Sequence, residues 1–204
     1  SEYNIKGSYY FRSVRESWNE DVIREIYSLG HEVGYHYECL TVCKGDIKAA
    51  IDNFEYNLDK LRSLVPVETI CMHGSPMSKF DSKNLWKDYK YQDYGIIGEP
   101  YFDLNFNEIF YLTDTGRMWD GYKYSVRDKI TTHQQKWIQN KLVFHRTSEI
   151  ISSLLENIFP SKVMFAMHPQ RWTDNHFHWL NEIISQSIKN IIKKNFYVNK
   201  KSNT

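Results

Sequence analysis

Three histidines in this chain each close a short apolar run at its C-terminal end. His36 follows HEVGY, His73 follows VETICM and His168 follows KVMFAM. Histidine ligates metals and moves protons near neutral pH. The C-terminal ends of parallel strands share one rim, and α/β folds build their sites there. A single His after a strand is usually a hydrogen-bonded structural residue; three in equivalent places point to chemistry. His31, His133 and His145 lack that placement and read as structural or surface residues. His176 and His178 stand two apart at a helix start, so they face different sides and make a poor metal pair.

Other polar residues fall on the same loops. Glu38 follows His36 by two positions, and Glu99 follows the GIIG run. Asp114 and Arg117 lie in YLTDTGRMW, and Arg171 and Trp172 follow His168. A carboxylate beside an Arg is ordinarily an ion pair. Trp119 and Trp172 are the aromatic candidates for stacking on sugar faces.

Several elements must position these groups. IKGSYYF (5–11), 31–37, VETICM (67–72) and KVMFAM (162–167) read as strands, from their β-branched and aromatic content. Further short strands are expected at 95–98 and 109–112. Apolar spacing predicts helices over 18–29, which Gly30 ends, and over 46–64, with Pro66 just beyond. Thr147 is the expected cap of a helix through Ile158, which Pro160 ends. Asp174 or Asn175 caps the last helix, whose apolar stripe is Phe177, Leu180, Ile183, Ile184, Ile188, Ile191 and Ile192. Residues 80–94 read as a loop with a short helix, and 113–128 as a polar loop. Strands alternating with helices imply an α/β fold with a mainly parallel sheet. The expected organisation is one domain over 1–196, followed by a solvated basic tail, 197–204.

Composition narrows the function classes. The 204 residues carry 26 basic and 25 acidic side chains, a formal charge of +1. That balance speaks against nucleic-acid binding through bulk charge. The content, 41% hydrophobic and 16% aromatic, is too apolar for a disordered chain. No apolar run approaches the length of a membrane span. Cys39, Cys43 and Cys71 have neither an even count nor CxxC spacing, so reduced thiols and a cytoplasmic location are expected.

The motifs also resemble a family. GSYYF at 7–11 followed by GHEVGYH at 30–36 is similar to the NodB-like polysaccharide deacetylases of carbohydrate esterase family 4. MHGSP at 72–76 stands where that family has its third motif, and AMHP at 166–169 resembles its last. The resemblance covers most of the chain in order. It implies a distorted (β/α) barrel, a divalent metal, usually zinc, and removal of N- or O-acetyl groups from a glycan or related N-acetyl compound. It makes His36 a metal ligand and His168 the acid that protonates the departing amine. Asp114 and Arg117, in YLTDTGRMW, are further catalytic candidates. Arg171, Trp172, Trp119 and Glu99 are the substrate-binding candidates.

Two departures shape the expectation. The family's first motif is a strand ending in two aspartates, and the six residues before Gly7 contain none. The family's second ligand, four residues after the first, is here Leu40. His73, then Glu38, are the replacement ligands; with the family's base and one ligand missing, the expectation is an incomplete barrel that is catalytically dead or very weak. A non-catalytic carbohydrate-binding or assembly module, and another metal-dependent barrel hydrolase such as a phosphoesterase, are the competing readings.

Overall fold

The computed structural model describes residues 4–75, 78–117, 119 and 129–193. The chain divides into two compact units, Ser1–Leu104 and Asn105–Thr204.

The first unit is built on three strands, β1 (Ser8–Phe11), β2 (Glu32–Tyr37) and β3 (Ile70–Met72). They lie in that order and are all parallel. Helix α1 (Glu20–Ser28) joins β1 to β2; the single turn α2 (Cys39–Val42) and the long helix α3 (Ile47–Arg62) join β2 to β3. Alternation along β2 explains its burial. Val33, Tyr35 and Tyr37 face the helices and are at most 2% exposed, with Ile70 and Met72 beside them. Phe54 of α3 is fully buried and packs its ring on Tyr35, Tyr37, Trp86 and Tyr94.

The other residues of β2, namely Glu32, Gly34 and His36, share the opposite, polar sheet face. There Glu32 accepts hydrogen bonds from Ser8 and Thr69, and Tyr10 bonds Thr69 at 3.2 Å. The Tyr10 ring lies against Gly34, where a Cβ would meet it at 2.4 Å and the Thr69 carbonyl oxygen at 2.9 Å. Only glycine lets the ring lie flat there, two residues before His36.

Local signals set the helix starts. Asn19 caps α1 by accepting from the Val22 amide, and Asp46 caps α3 by accepting from the Ala49 amide. Asp46→Ala should cost about 1 kcal/mol, read as a lower urea midpoint with an unchanged m-value. The strand expected at 95–98 shrinks to one bridge, Thr69 to Gly98. Gly95 takes a left-handed conformation, φ 69°, and ends the 3₁₀ turn Tyr91–Tyr94. The turn α4 (Pro100–Asp103) follows.

In the second unit β4 (Phe110–Thr113) pairs in parallel with β5 (Val163–Ala166). Between them run α5 (Thr131–Gln139) and α6 (Thr147–Leu155), and α7 (His176–Lys193) comes last. All four β4 residues are buried, with Phe110 against Trp137 and Phe144. Helix α5 has no counterpart in the sequence reading. Thr147 is the first residue of α6 rather than its cap; Arg146 holds the cap position. Asn175 does cap α7, accepting from the Phe177 and His178 amides.

The described residues are thus mixed α/β with parallel strands in two small sheets, and these strands do not close a barrel. No helix among them is long and apolar enough to cross a membrane. Among the described residues Cys39, Cys43 and Cys71 form no disulfide. Most of the loop read at 113–128, and the tail 197–204, lie outside the described residues.

Candidate functional site

Each unit gathers its polar groups at the C-terminal ends of its parallel strands. In the first unit the register pairs His36 with Cys71 and Tyr37 with Met72. The next step along both strands brings Glu38 opposite His73. Arg12, the residue after β1, completes the row.

Glu38 is the hub of this row. One oxygen accepts from Arg12 Nε at 2.9 Å and Nη2 at 2.7 Å, and the other meets His73 Nδ1 at 3.0 Å. Burial alone would raise the Glu38 carboxyl, but the His73 and Arg12 hydrogen bonds outweigh it and bring it down to about 2. The ionised carboxylate only accepts, so His73 must carry its proton on Nδ1. His36 Nδ1 meets the Cys71 carbonyl oxygen at 2.8 Å, which fixes the same tautomer. In the neutral form both imidazoles therefore carry their lone pair on Nε2. Their rings are 5.0 Å apart, edge to face.

Metal-ligating histidines are held in this way, with Nδ1–H bound to a carbonyl or carboxylate. The donor set fits a divalent metal in part. Two imidazoles make half of a tetrahedral shell, and among the described residues no group of three His, Cys, Asp or Glu is arranged to hold an ion. Glu38 takes a different part from the ligand expected of it. Both its oxygens are engaged, and it orients His73.

Glu99 is corrected more strongly. It is fully buried and presents no surface to a substrate. Its carboxylate accepts from the Met72 amide at 3.0 Å and from the Tyr101 amide at 2.6 Å, with the Tyr37 hydroxyl donating at 3.5 Å. It thereby ties β3, just before His73, to the start of α4. Burial pushes its pKa up to about 7 against the amide hydrogen bonds.

In the second unit Asp114 follows β4 and His168 follows β5. Asp114 Oδ1 meets His168 Nδ1 at 2.5 Å, and Oδ2 accepts from the His168 amide at 3.0 Å. Arg171 donates to Oδ1 at 2.9 Å and to the Asp114 carbonyl, and Trp172 Nε1 donates to Oδ2 at 3.2 Å. Burial would raise the Asp114 carboxyl; the His168 hydrogen bonds and the charges of His168 and Arg171 reverse that and hold it below its ordinary value. An ionised carboxylate on Nδ1 holds an imidazole in one tautomer and stabilises its protonated form. His168 Nε2 lies on the opposite edge of a side chain 37% exposed. This is a proton donor or acceptor in position.

No family model, no curated protein and no solved structure matches the chain.

The remaining candidates separate by burial. Trp172 is 55% exposed and borders an open groove of ≈ 770 Å³ that His178, Glu182 and Ile184 also line. Trp119 is buried, donates to Thr147 Oγ1 and packs on Phe165 and Trp172. It is a wall, not a sugar platform. Arg171, expected to bind substrate, is spent on Asp114 and on Glu182, 3.8 Å away. Arg117, expected to be catalytic, adopts φ 60° and lays its guanidinium over the Trp179 ring at 5.9 Å.

Sequence reading missed Arg12 and Glu182. Arg12 could have been found, since it too immediately follows an apolar strand. Glu182 gives no such signal, because it sits on a helix whose inward face is not evident from spacing.

Proposed function

We propose that the chain is a divergent, metal-dependent deacetylase of the NodB-like type, acting on N- or O-acetyl groups of a glycan. One observation carries the reading. His36 and His73, at neighbouring strand ends, both commit Nδ1 to an acceptor, as metal ligands do. A cytoplasmic location goes with this proposal, supported by three cysteines that form no disulfide among the described residues.

The residues divide the work. His36 and His73 hold a divalent metal, most simply zinc, through Nε2, and Glu38, clamped by Arg12, keeps His73 oriented. Such a metal supplies a Lewis acid that polarises the acetyl carbonyl and acidifies the attacking water. The second unit contributes a proton donor, His168, whose ring Asp114 holds through Nδ1. Arg171 fixes the Asp114 carboxylate. Trp172 offers the sugar an apolar face.

Acetate release from N-acetylated oligosaccharides, with zinc, cobalt or manganese added, tests the proposal. Release that falls about 10²–10⁴-fold in His168→Ala supports it. Release from these residues alone is expected to be weak, because the family's aspartate pair is missing from them; no release together with no zinc binding sinks the proposal. Phosphate release instead would select a phosphoesterase. Trp172→Ala should weaken binding of an N-acetylated oligosaccharide about tenfold by calorimetry, in line with loss of a central aromatic anchor. The exposed Trp172 and its groove also favour a second reading, a carbohydrate-binding module without catalysis. Unchanged glycan affinity in His36→Ala, together with absence of metal binding, would choose that reading.

A further inference from the structure

Helix α7 is amphipathic the wrong way round. A helix on a globular surface normally turns its apolar stripe inward. Here Phe177, Leu180, Ile184, Ile188 and Ile191 are spaced to form one stripe, and each is between 50 and 71% exposed. The face turned into the unit is mixed, with polar groups beside the half-buried Ile183. Gln186 is 5% exposed, Glu182 lies by Arg171, and the Trp179 ring lies under Arg117. The helix is thus tied down through polar and cation–π contacts, while five large apolar side chains meet water. A contiguous apolar patch of this kind marks an interaction surface.

Charge selects what covers it. The last 29 residues hold five lysines, Lys189, Lys193, Lys194, Lys200 and Lys201, and one carboxylate, Glu182. The whole chain is only +1, so positive charge is concentrated on and just after this helix. A second copy seated on the stripe would bring two such lysine clusters together. An anionic surface would neutralise them. A helix with an apolar face and adjacent lysines lies in the plane of a membrane interface, its apolar side chains among the acyl chains and its cations at the headgroups.

We propose that α7 docks the protein on an anionic lipid surface. The helix lies on the membrane and does not span it. The proposal uses neither histidine cluster, although Ile184 and Ile188 also line the groove beside Trp172.

Co-sedimentation of the full chain with vesicles tests it. Binding to phosphatidylcholine:phosphatidylglycerol 7:3 vesicles should exceed binding to pure phosphatidylcholine about tenfold, and should weaken in 0.5 M salt. The double variant Ile184→Asp, Ile188→Asp should lose at least about tenfold of the binding. Both positions are exposed, so circular dichroism should be unchanged. The charge variant Lys189→Glu, Lys193→Glu, Lys194→Glu should lose the preference for anionic vesicles. Absence of binding to anionic vesicles would overturn the proposal. So would undiminished binding by the Ile variant, or a dimer in sedimentation velocity that Ile184→Asp dissociates.

Discussion

Asp114→Ala should destabilise the Asn105–Thr204 unit by about 3–5 kcal/mol, the cost of removing one partner from a buried charged cluster. Asp114 is 7% exposed and serves four donors, namely the His168 ring, the His168 amide, the Arg171 guanidinium and the Trp172 indole. Arg171 is itself 13% exposed at its side chain and would face Glu182 alone, at 3.8 Å. Urea unfolding followed by tryptophan fluorescence reads the loss directly, because Trp119 and Trp172 lie in the same cluster. Asp114→Asn preserves shape and one acceptor but loses the charge, so it should fall between alanine and the native residue. In the proposed reaction it should also slow acetate release about 10²–10⁴-fold, since the imidazolium loses its counter-charge. An alanine variant within about 1 kcal/mol of the parent, the range of an ordinary surface ion pair, would show that Asp114 is no hub.

The second large effect is a pH dependence carried by Glu99. Its carboxyl moves from 4.5 to about 7 on folding, chiefly because burial disfavours the charge. The folded state therefore holds the proton more tightly than the unfolded chain. Stability contributed by the protonated form is fully present below pH 4.5 and is lost as pH rises through about 7. The loss is about 3 kcal/mol across that window, at 1.4 kcal/mol per pKa unit. The parent protein should be more stable at pH 5 than the Glu99→Gln variant predicts from its own values at pH 5 and 7.5. Thermal unfolding of both proteins at the two pH values measures the difference. Parallel pH profiles would show that Glu99 does not titrate in this window. Glu38 and Asp114, both lowered, act at more acidic pH, and the comparison with Glu99→Gln subtracts every other group that titrates in the window.

How much of this was legible in the sequence depends on the range of the interaction. Strand β2 was legible because Val33, Tyr35 and Tyr37 alternate with Glu32, Gly34 and His36 over its whole length. The cap Asn175, one of the two offered for the last helix, was legible because it acts three residues away or less. Helix α5 was not, because TTHQQKWIQ has only Trp137 and Ile138 as large apolar residues and no stripe. The run at 95–98 looks like a strand by composition, yet Gly95 in the left-handed region leaves it a single bridge.

The site divides in the same way. That His36, His73 and His168 stand at strand ends follows from local pattern. That Glu38 orients His73 does not, because the pair is 35 residues apart and meets only through the β2–β3 register. Burial is the other hidden variable. Glu99 and Trp119 have the residue types of a binding site, and only packing reveals that one is a buried cap and the other a wall. Arg171 likewise has the type that grips a substrate, but Asp114 already occupies it.

The central claim is that His36 and His73 together hold a divalent metal through Nε2. Zinc titration by isothermal calorimetry, at a pH where both imidazoles are neutral, tests it most directly. The account predicts one zinc per chain, with binding lost in His36→Ala and in His73→Ala. It also predicts weaker binding in Glu38→Ala, which releases the His73 ring from its carboxylate, by about 10–100-fold. Absence of zinc binding, or binding that survives both histidine substitutions, would contradict it.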